Sequence, residues 1–280
     1  MKKKGLAEAT IKSRVYRLNR LIKLGANLEK PETIETILAT SNWTPSNKRI
    51  FADSYKAYTN YKKIEWQKPK ITVTQKDPFL PQDEEVKQLI AGTGKTTSTL
   101  LQTAYETGAR IGELAQLKWT DIDFKAKTIK INCPEKGSNS RTLKISNKLM
   151  AMLNALQKRP NNNIFNTKVK TLSSTFDRQR NKLAKKLQNP RIRQIHFHTL
   201  RHLKATTEYQ KTKDIMHVKY ILGHKCLDTT LRYVHYTTFK EEHYTCRTAT
   251  NTKEATNLIE NGFTYITTTP DALMLFRKRK

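Results

Sequence analysis

Residues 198–233 read HTLRHLKATTEYQKTKDIMHVKYILGHKCLDTTLRY, and their histidine, arginine and tyrosine side chains have spacings that suit chemistry on a phosphate. The first turns of this stretch are predicted to be helical. His198 and Arg201 stand three residues apart there, so both can project from one helix face towards one ligand. The two side chains are therefore predicted to bind one anion together.

The second half of the stretch predicts a buried helix followed by a histidine outside the core. Apolar residues recur in it at the helical period: Ile215, Val218, Ile221 and Leu222. Gly223 is predicted to end that helix, so a short length of backbone fixes the ring of His224. Asp228 or Thr229 can cap the next short helix, which carries Tyr233.

The pattern HTLRH, then LGH, then TT and a tyrosine nine residues after the histidine resembles the C-terminal signature of the tyrosine recombinases, the phage-integrase and Xer-like family. TGARIGELAQL, at residues 107–117, is similar to the first box of that family and puts Arg110 at the place of its first catalytic arginine. KGSNSR lies between two predicted strands and puts Lys136 at the place of the mobile lysine. The resemblance covers roughly residues 76–240.

The resemblance implies one active site built from six side chains: Arg110, Lys136, His198, Arg201, His224 and Tyr233. Tyr233 would be the nucleophile and Lys136 the proton donor to the leaving oxygen. A 3′-phosphotyrosine, a released 5′-hydroxyl and no metal or nucleotide cofactor are also implied. The partners implied are double-stranded DNA and further copies of the chain, as a homotetramer on two DNA sites. A monomer off DNA is left open.

The residue types fit this chemistry. Attack on a phosphodiester builds negative charge on the nonbridging oxygens, and two arginines supply planar, permanently charged donors for them. Histidines add proton transfer near neutral pH, and His198 is predicted to be the base. Tyr236 is the chief rival of Tyr233, because it lies three residues further on the same predicted helix face.

Composition favours a polyanionic partner. The 280 residues include 53 Lys and Arg against 24 Asp and Glu, a formal net charge of +29. Nucleic acid is favoured over a membrane surface, because no long apolar run or lipidation signal accompanies the charge. A generally lysine-rich, solvated surface is the alternative. Three cysteines without metal-ligand spacing and a start without an apolar run predict a cytoplasmic, nucleoid-associated protein.

The chain is predicted to be mainly α-helical with a small antiparallel β-sheet, in two domains. Residues 1–70 read as a helical DNA-binding bundle, and residues 66–74 read as a linker. Residues 71–280 read as a catalytic domain with a C-terminal tail, 240–280, for which docking on a neighbouring protomer and completion of its own domain are both open. Helices in the tail are predicted over 240–245 and 254–260, followed by two strands joined at Pro270-Asp271.

Between these regions, period-two alternation over residues 119–146 predicts two or three antiparallel strands, whose turn carries Lys136. A helix over 171–187 is predicted to present a basic stripe to DNA or to solvent: Arg178, Arg180, Lys182, Lys185 and Lys186.

Two other motifs fit rival functions poorly. AGTGKTTSTL lacks the first glycine and the preceding strand of a phosphate-binding loop. His196, His198 and His202 have spacings that fit no metal motif cleanly. A type IB topoisomerase and a catalytically idle DNA-binding regulator on the same scaffold are the alternatives to a recombinase.

Overall fold

The computed structural model describes residues 5–74, 77–135, 137–156, 162–165, 168–235 and 244–279. The chain divides into two compact units, Met1–Lys76 and Asp77–Lys280. This division falls near the expected boundary between residues 70 and 71. The functions expected of the two domains stay predictions.

The first unit is a helical bundle in its described residues, with α1 at Glu8–Lys23, α2 at Pro31–Thr40 and α3 at Pro45–Lys62. Proline opens both α2 and α3, a position where its missing N–H costs no hydrogen bond. Apolar side chains from all three helices form the core: Leu18, Leu21, Ile34, Leu38, Ala52 and Tyr55.

Trp66 belongs to this core rather than to a linker. Its side chain is buried beside Tyr55, with the ring centroids 4.8 Å apart. Its indole N–H donates to Glu35 at 2.9 Å. The prediction of a linker over residues 66–74 is therefore wrong at its first residue, because a tryptophan buries a large apolar area even where its neighbours are polar.

The second unit is mainly helical, which confirms the predicted fold class. Its helices before the C-terminal sheet are α4 (Asp83–Ala91), α5 (Lys95–Thr107), α6 (Ile111–Ala115), α7 (Asn147–Asn154), α8 (Val169–Lys186), α9 (Phe197–Thr212), α10 (Ile215–Leu222) and α11 (Asp228–His235). Their apolar faces surround a shared core that includes Leu89, Leu101, Leu114, Leu149, Phe165, Phe176 and Leu200. Helices α10 and α11 pack against α9.

An antiparallel sheet follows α6 in the order β1-β2-β3, with β1 at Ile122–Asp123, β2 at Thr128–Ile131 and β3 at Arg141–Lys144. In its register Ile129 lies opposite Leu143, and Ile131 lies opposite Arg141. The predicted alternation is confirmed. The same alternation places Arg141 on the buried face, where it is 3% exposed.

Residues 244–279 form a second sheet with one helix, α12 at Thr252–Glu260. Its strands are β4 (Tyr244–Ala249), β5 (Thr264–Thr268) and β6 (Met274–Arg279), in the order β4-β6-β5. The predicted helix over 254–260 and the two strands after it are confirmed. The predicted helix over 240–245 is wrong at residues 244 and 245, which begin β4, and residues 240–243 lie outside the described part.

Helix α8 does not present all its basic residues on one solvated stripe. Arg178, Lys182, Lys185 and Lys186 are exposed. Arg180 is 6% exposed, and its guanidinium donates to the Ile195 carbonyl at 2.8 Å. The prediction is wrong for Arg180, because the helical period puts it on the same face as the buried Phe176.

Gly223 ends α10 at a close approach of two chain segments. Its φ is +67°, and a Cβ there would lie 2.8 Å from the Asn139 carbonyl oxygen and 2.9 Å from Nη1 of Arg141. We expect Gly223→Ala to lower the free energy of unfolding by about 2–4 kcal/mol, since the left-handed backbone and the contact both oppose it.

Gly137→Ala is the matched control for guanidinium denaturation. Its φ is +70°, and a Cβ there meets nothing within 4 Å. Gly137→Ala should lower the free energy of unfolding by about 1 kcal/mol, because only the left-handed backbone opposes it. Equal losses in the two variants would show that the contact beneath Gly223 does not matter.

Candidate active site

Arg201 lies at the centre of the site and is 2% exposed. From α9 its Nη1 donates to the Gly108 carbonyl at 2.7 Å, and its Nη2 donates to the Leu222 carbonyl at 2.7 Å. Burial, followed by the charges of Arg110 and Arg141, lowers the pKa of Arg201 to about 10. The guanidinium therefore stays charged at neutral pH.

His224 is held between Arg201 and α11. Its Nε2 lies 3.0 Å from Nη2 of Arg201, and its Nδ1 lies 2.9 Å from the hydroxyl oxygen of Thr230. Burial and then the charge of Arg201 lower the pKa of His224 to about 4. The ring is thus neutral. Because a guanidinium can only donate, Nε2 accepts and the ring proton is assigned to Nδ1.

Arg110 immediately precedes α6 and is the more exposed of the two predicted arginines, with its side chain 19% exposed. Its Nη1 donates to Oε1 of Glu113 at 3.1 Å. The Glu113 carboxylate is fully buried, so this is not an ordinary surface ion pair. Burial opposes ionisation of Glu113, but the hydrogen bond and charge of Arg141 and the contacts of Arg110 outweigh it and lower its pKa.

Lys136 lies outside the described residues, but its neighbours in the chain lie beside Arg110. The Glu135 carbonyl is 3.5 Å from Nη1 of Arg110, and the Ser138 hydroxyl accepts a hydrogen bond from the same nitrogen. The Glu135 side chain packs so closely on Gly112 that a Cβ there would lie 1.8 Å from its Oε1. The turn at Glu135 therefore packs directly against the start of α6.

Tyr233 is buried on α11, at 2% exposure. Its hydroxyl lies 3.1 Å from Nδ1 of His202, and its ring stacks near His224 with centroids 6.5 Å apart. Burial, then the charge of His198, lowers the pKa of His202 to about 4, so this ring is neutral, and its tautomer decides which partner donates in the hydrogen bond with the phenol. His198 packs edge-on against His202, with ring centroids 4.3 Å apart.

The structure thus brings Arg110, His198, Arg201, His224 and Tyr233 into one region. Sequence reasoning missed three residues of this region: His202, Thr230 and Arg141. His202 was considered only as a metal ligand, although its position four residues after His198 puts it on the same helix face. Arg141 was overlooked, although it occupies an apolar position in the strand alternation.

The histidines considered as metal ligands make other contacts. Within the residues that the structure describes, no group of three or more His, Cys, Asp or Glu side chains could hold a metal ion. His196 instead lies 2.7 Å from Nη1 of Arg180. No helix in the described part has the length and apolar character to cross a membrane.

Residues 80–239 match the model of the Phage integrase family, and this match covers more than half of the chain. The chain belongs to that family. The predicted resemblance to tyrosine recombinases is confirmed.

A tyrosine recombinase from Pseudothermotoga lettingae is 32% identical over 173 residues, which are 60% of this chain and 59% of that protein. The chain thus spans about three fifths of that relative's length. A tyrosine recombinase XerA from Pyrococcus furiosus is 24% identical over 272 residues, covering 92% of this chain and 91% of that one.

A solved structure of the Tn1549 transposon integrase in complex with transposon right end DNA covers 92% of this chain and 94% of that one. Its TM-score is 0.63 at 17% identity. This likeness shows a shared fold.

The buried His202 makes stability depend on pH. Its folded pKa of about 4 lies below the ordinary value of 6.5, so the unfolded chain binds more protons between these values and stability is lost as the pH falls through this window. We expect the free energy of unfolding to drop between pH 7 and pH 5 by about 1–2 kcal/mol more in the wild type than in His202→Asn. Chemical denaturation at both pH values measures the difference, and parallel losses would contradict it.

Proposed function

We propose that this chain is a site-specific DNA recombinase that cleaves and rejoins strands through a 3′-phosphotyrosine at Tyr233. The observation that supports this most is the convergence of Arg201, His224 and Tyr233 in one region. Arg110 belongs to this cluster electrostatically, because its charge helps to lower the pKa values of Arg201 and His224. Such an excess of positive charge suits a bound phosphate.

Arg110 and Arg201 are proposed to bind the nonbridging oxygens of the scissile phosphate. Negative charge grows on these oxygens in the five-coordinate transition state, and fixed guanidinium donors stabilise it more than the ground state. Arg201 is already oriented by two backbone carbonyls, but it is 2% exposed and must be uncovered before a phosphate can reach it. His224 is proposed to add a hydrogen bond beside it once its ring is protonated, because in the neutral ring Nε2 accepts from Arg201 and Nδ1 lies at Thr230.

In the proposed step the Tyr233 oxygen forms a bond to phosphorus and the bond from phosphorus to the 5′ oxygen breaks. The phenol proton passes to a base, for which His198 is proposed, and the leaving 5′ oxygen takes a proton from Lys136. The role of Lys136 rests on the family resemblance. Rejoining is the reverse reaction, so the phosphoester energy is conserved and no outside co-reactant is needed.

Tyr233 must shift before it can act. A phenol that is 2% exposed and hydrogen-bonded to His202 does not reach a phosphate in solution. We propose that α11 moves when DNA binds, which exchanges the His202 contact for one with the phosphate. Residues 236–243, which follow α11 in the chain, lie outside the described part and include Tyr236.

Double-stranded DNA is the proposed partner, and the net charge of +29 supports it. Residues 1–70 are proposed to be a DNA-clamp domain, and residues 71–280 are proposed to be the catalytic domain. Since each protomer supplies one nucleophile, exchange of four strands would need a homotetramer on two DNA sites. Action on intracellular, nucleoid DNA stays a prediction from the family.

The nucleophile can be identified with a duplex that carries a nick close to the cleavage point, which traps covalent protein–DNA adduct. We expect Tyr233→Phe to lower adduct formation by at least about 10³-fold, because the attacking oxygen is removed. Tyr220→Phe, which loses a hydroxyl that donates to the Thr142 carbonyl at 3.2 Å, is the matched control and should retain the adduct.

Denaturing gels with detergent measure the adduct in each variant. If Tyr233→Phe still forms it and Tyr236→Phe does not, the nucleophile is Tyr236. If the wild type forms the adduct and relaxes supercoiled DNA but does not exchange strands, the topoisomerase alternative is favoured. A wild-type protein that binds duplex DNA and forms no adduct would favour the idle regulator.

A further inference from the structure

Arg141 is a third guanidinium within the site region, and neither the predicted site nor the proposed reaction uses it. It is the first residue of β3, directly after the turn that carries Lys136. Its side chain is fully buried in this structure. A buried charge destabilises the fold unless it is paired, so the partners of Arg141 indicate its role.

Arg141 shares one carboxylate with Arg110. Its Nη2 donates to Oε2 of Glu113 at 2.7 Å, while Nη1 of Arg110 donates to Oε1 at 3.1 Å. The backbone N–H groups of Arg110 and Glu135 also donate to Glu113, at 2.9 and 3.3 Å. Glu113 therefore joins the start of α6, the turn before Lys136 and β3.

Arg141 also lies next to the other half of the site. Its Nη1 would meet a Cβ at Gly223, and Asn139, two residues before it, donates its N–H to the Gly223 carbonyl at 2.9 Å. Its charge contributes to lowering the pKa values of both Arg201 and His224. One buried guanidinium thus acts on both arginines that would face the phosphate.

We propose that Arg141 is a positioning residue that divides the charge of Glu113 and so keeps Arg110 positive towards the scissile phosphate. This inference rests on the proposed function. One carboxylate between two guanidiniums leaves a net charge of +1. Without Arg141, Glu113 neutralises Arg110 alone, and the phosphate loses that part of the electrostatic stabilisation.

The test compares Arg141→Met with the double variant Glu113→Gln/Arg141→Met in the nicked-duplex assay. At saturating protein, we expect the rate of adduct formation to fall on the order of 10²-fold in Arg141→Met, as for loss of one oriented donor. The double variant removes both buried charges and should recover to within about tenfold of the wild type.

A neutral methylphosphonate at the scissile position separates an electrostatic from a structural role. If Arg141 acts through charge, its loss should slow cleavage of the methylphosphonate by less than about tenfold while slowing the phosphodiester on the order of 10²-fold. A variant that merely displaced Arg110 or Lys136 would slow both substrates alike. Equal slowing would overturn the proposal.

Arg191→Met is the matched control, because Arg191 also pairs with a buried glutamate, Glu85, at 2.8 Å, rather than with a residue of the site. Its ratio of phosphodiester to methylphosphonate rates should equal that of the wild type.

If Arg141→Met does not fold, the double variant decides: a loss of adduct formation as large as that of Arg110→Ala would overturn the proposal. A wild type without adduct refutes the proposed function itself, whereas an active wild type matched by Arg141→Met refutes only this inference.

Discussion

The buried guanidinium of Arg201 makes the two hydrogen bonds on which the second unit depends. It binds the carbonyl of Gly108 at the end of α5 and the carbonyl of Leu222 at the end of α10. These groups are unpaired by helix geometry, because the last carbonyls of a helix have no partner within it. One side chain from α9 therefore satisfies two helix ends and fixes their relative position, and it also orients the histidine that follows α10.

Burial, and then nearby positive charge, keeps His202 and His224 neutral. Arg201, Arg110 and Arg141 all disfavour a proton on His224, in addition to burial. A phosphodiester carries the opposite charge and would reverse part of this effect, because a nearby anion favours the protonated ring. A phosphodiester bound there would therefore raise the proton affinity of His224.

Much of this organisation could be predicted from the sequence because it follows local rules. Helical spacing placed His198 and Arg201 on one face, and Gly223 marked the end of α10. The alternation that predicted β2 and β3 was equally local. What could not be predicted depended on the partner a side chain finds in space. Arg180 was predicted to lie on a basic stripe, whereas it donates to the Ile195 carbonyl, and the pairing of Arg141 with Glu113 had no signal in the sequence.

The remaining differences between prediction and structure also arise from contacts between residues far apart in the sequence. His202 had no local signal for its contact with Tyr233, because the two residues meet only when α11 folds against α9. Trp66 looked like part of a polar linker, and only the tertiary fold shows it against Tyr55. Strand β4 was missed because its partner, β6, lies far along the chain.

The strand order β4-β6-β5 has a consequence for synthesis. The central strand of this sheet, β6, is the last of the three to leave the ribosome, so neither outer strand has its hydrogen-bonding neighbour until residues 274–279 emerge. Helices α9 to α11 precede the sheet and can pack earlier. The growing chain can therefore complete the helical core of the second unit while β4 and β5 still lack the strand that pairs with both.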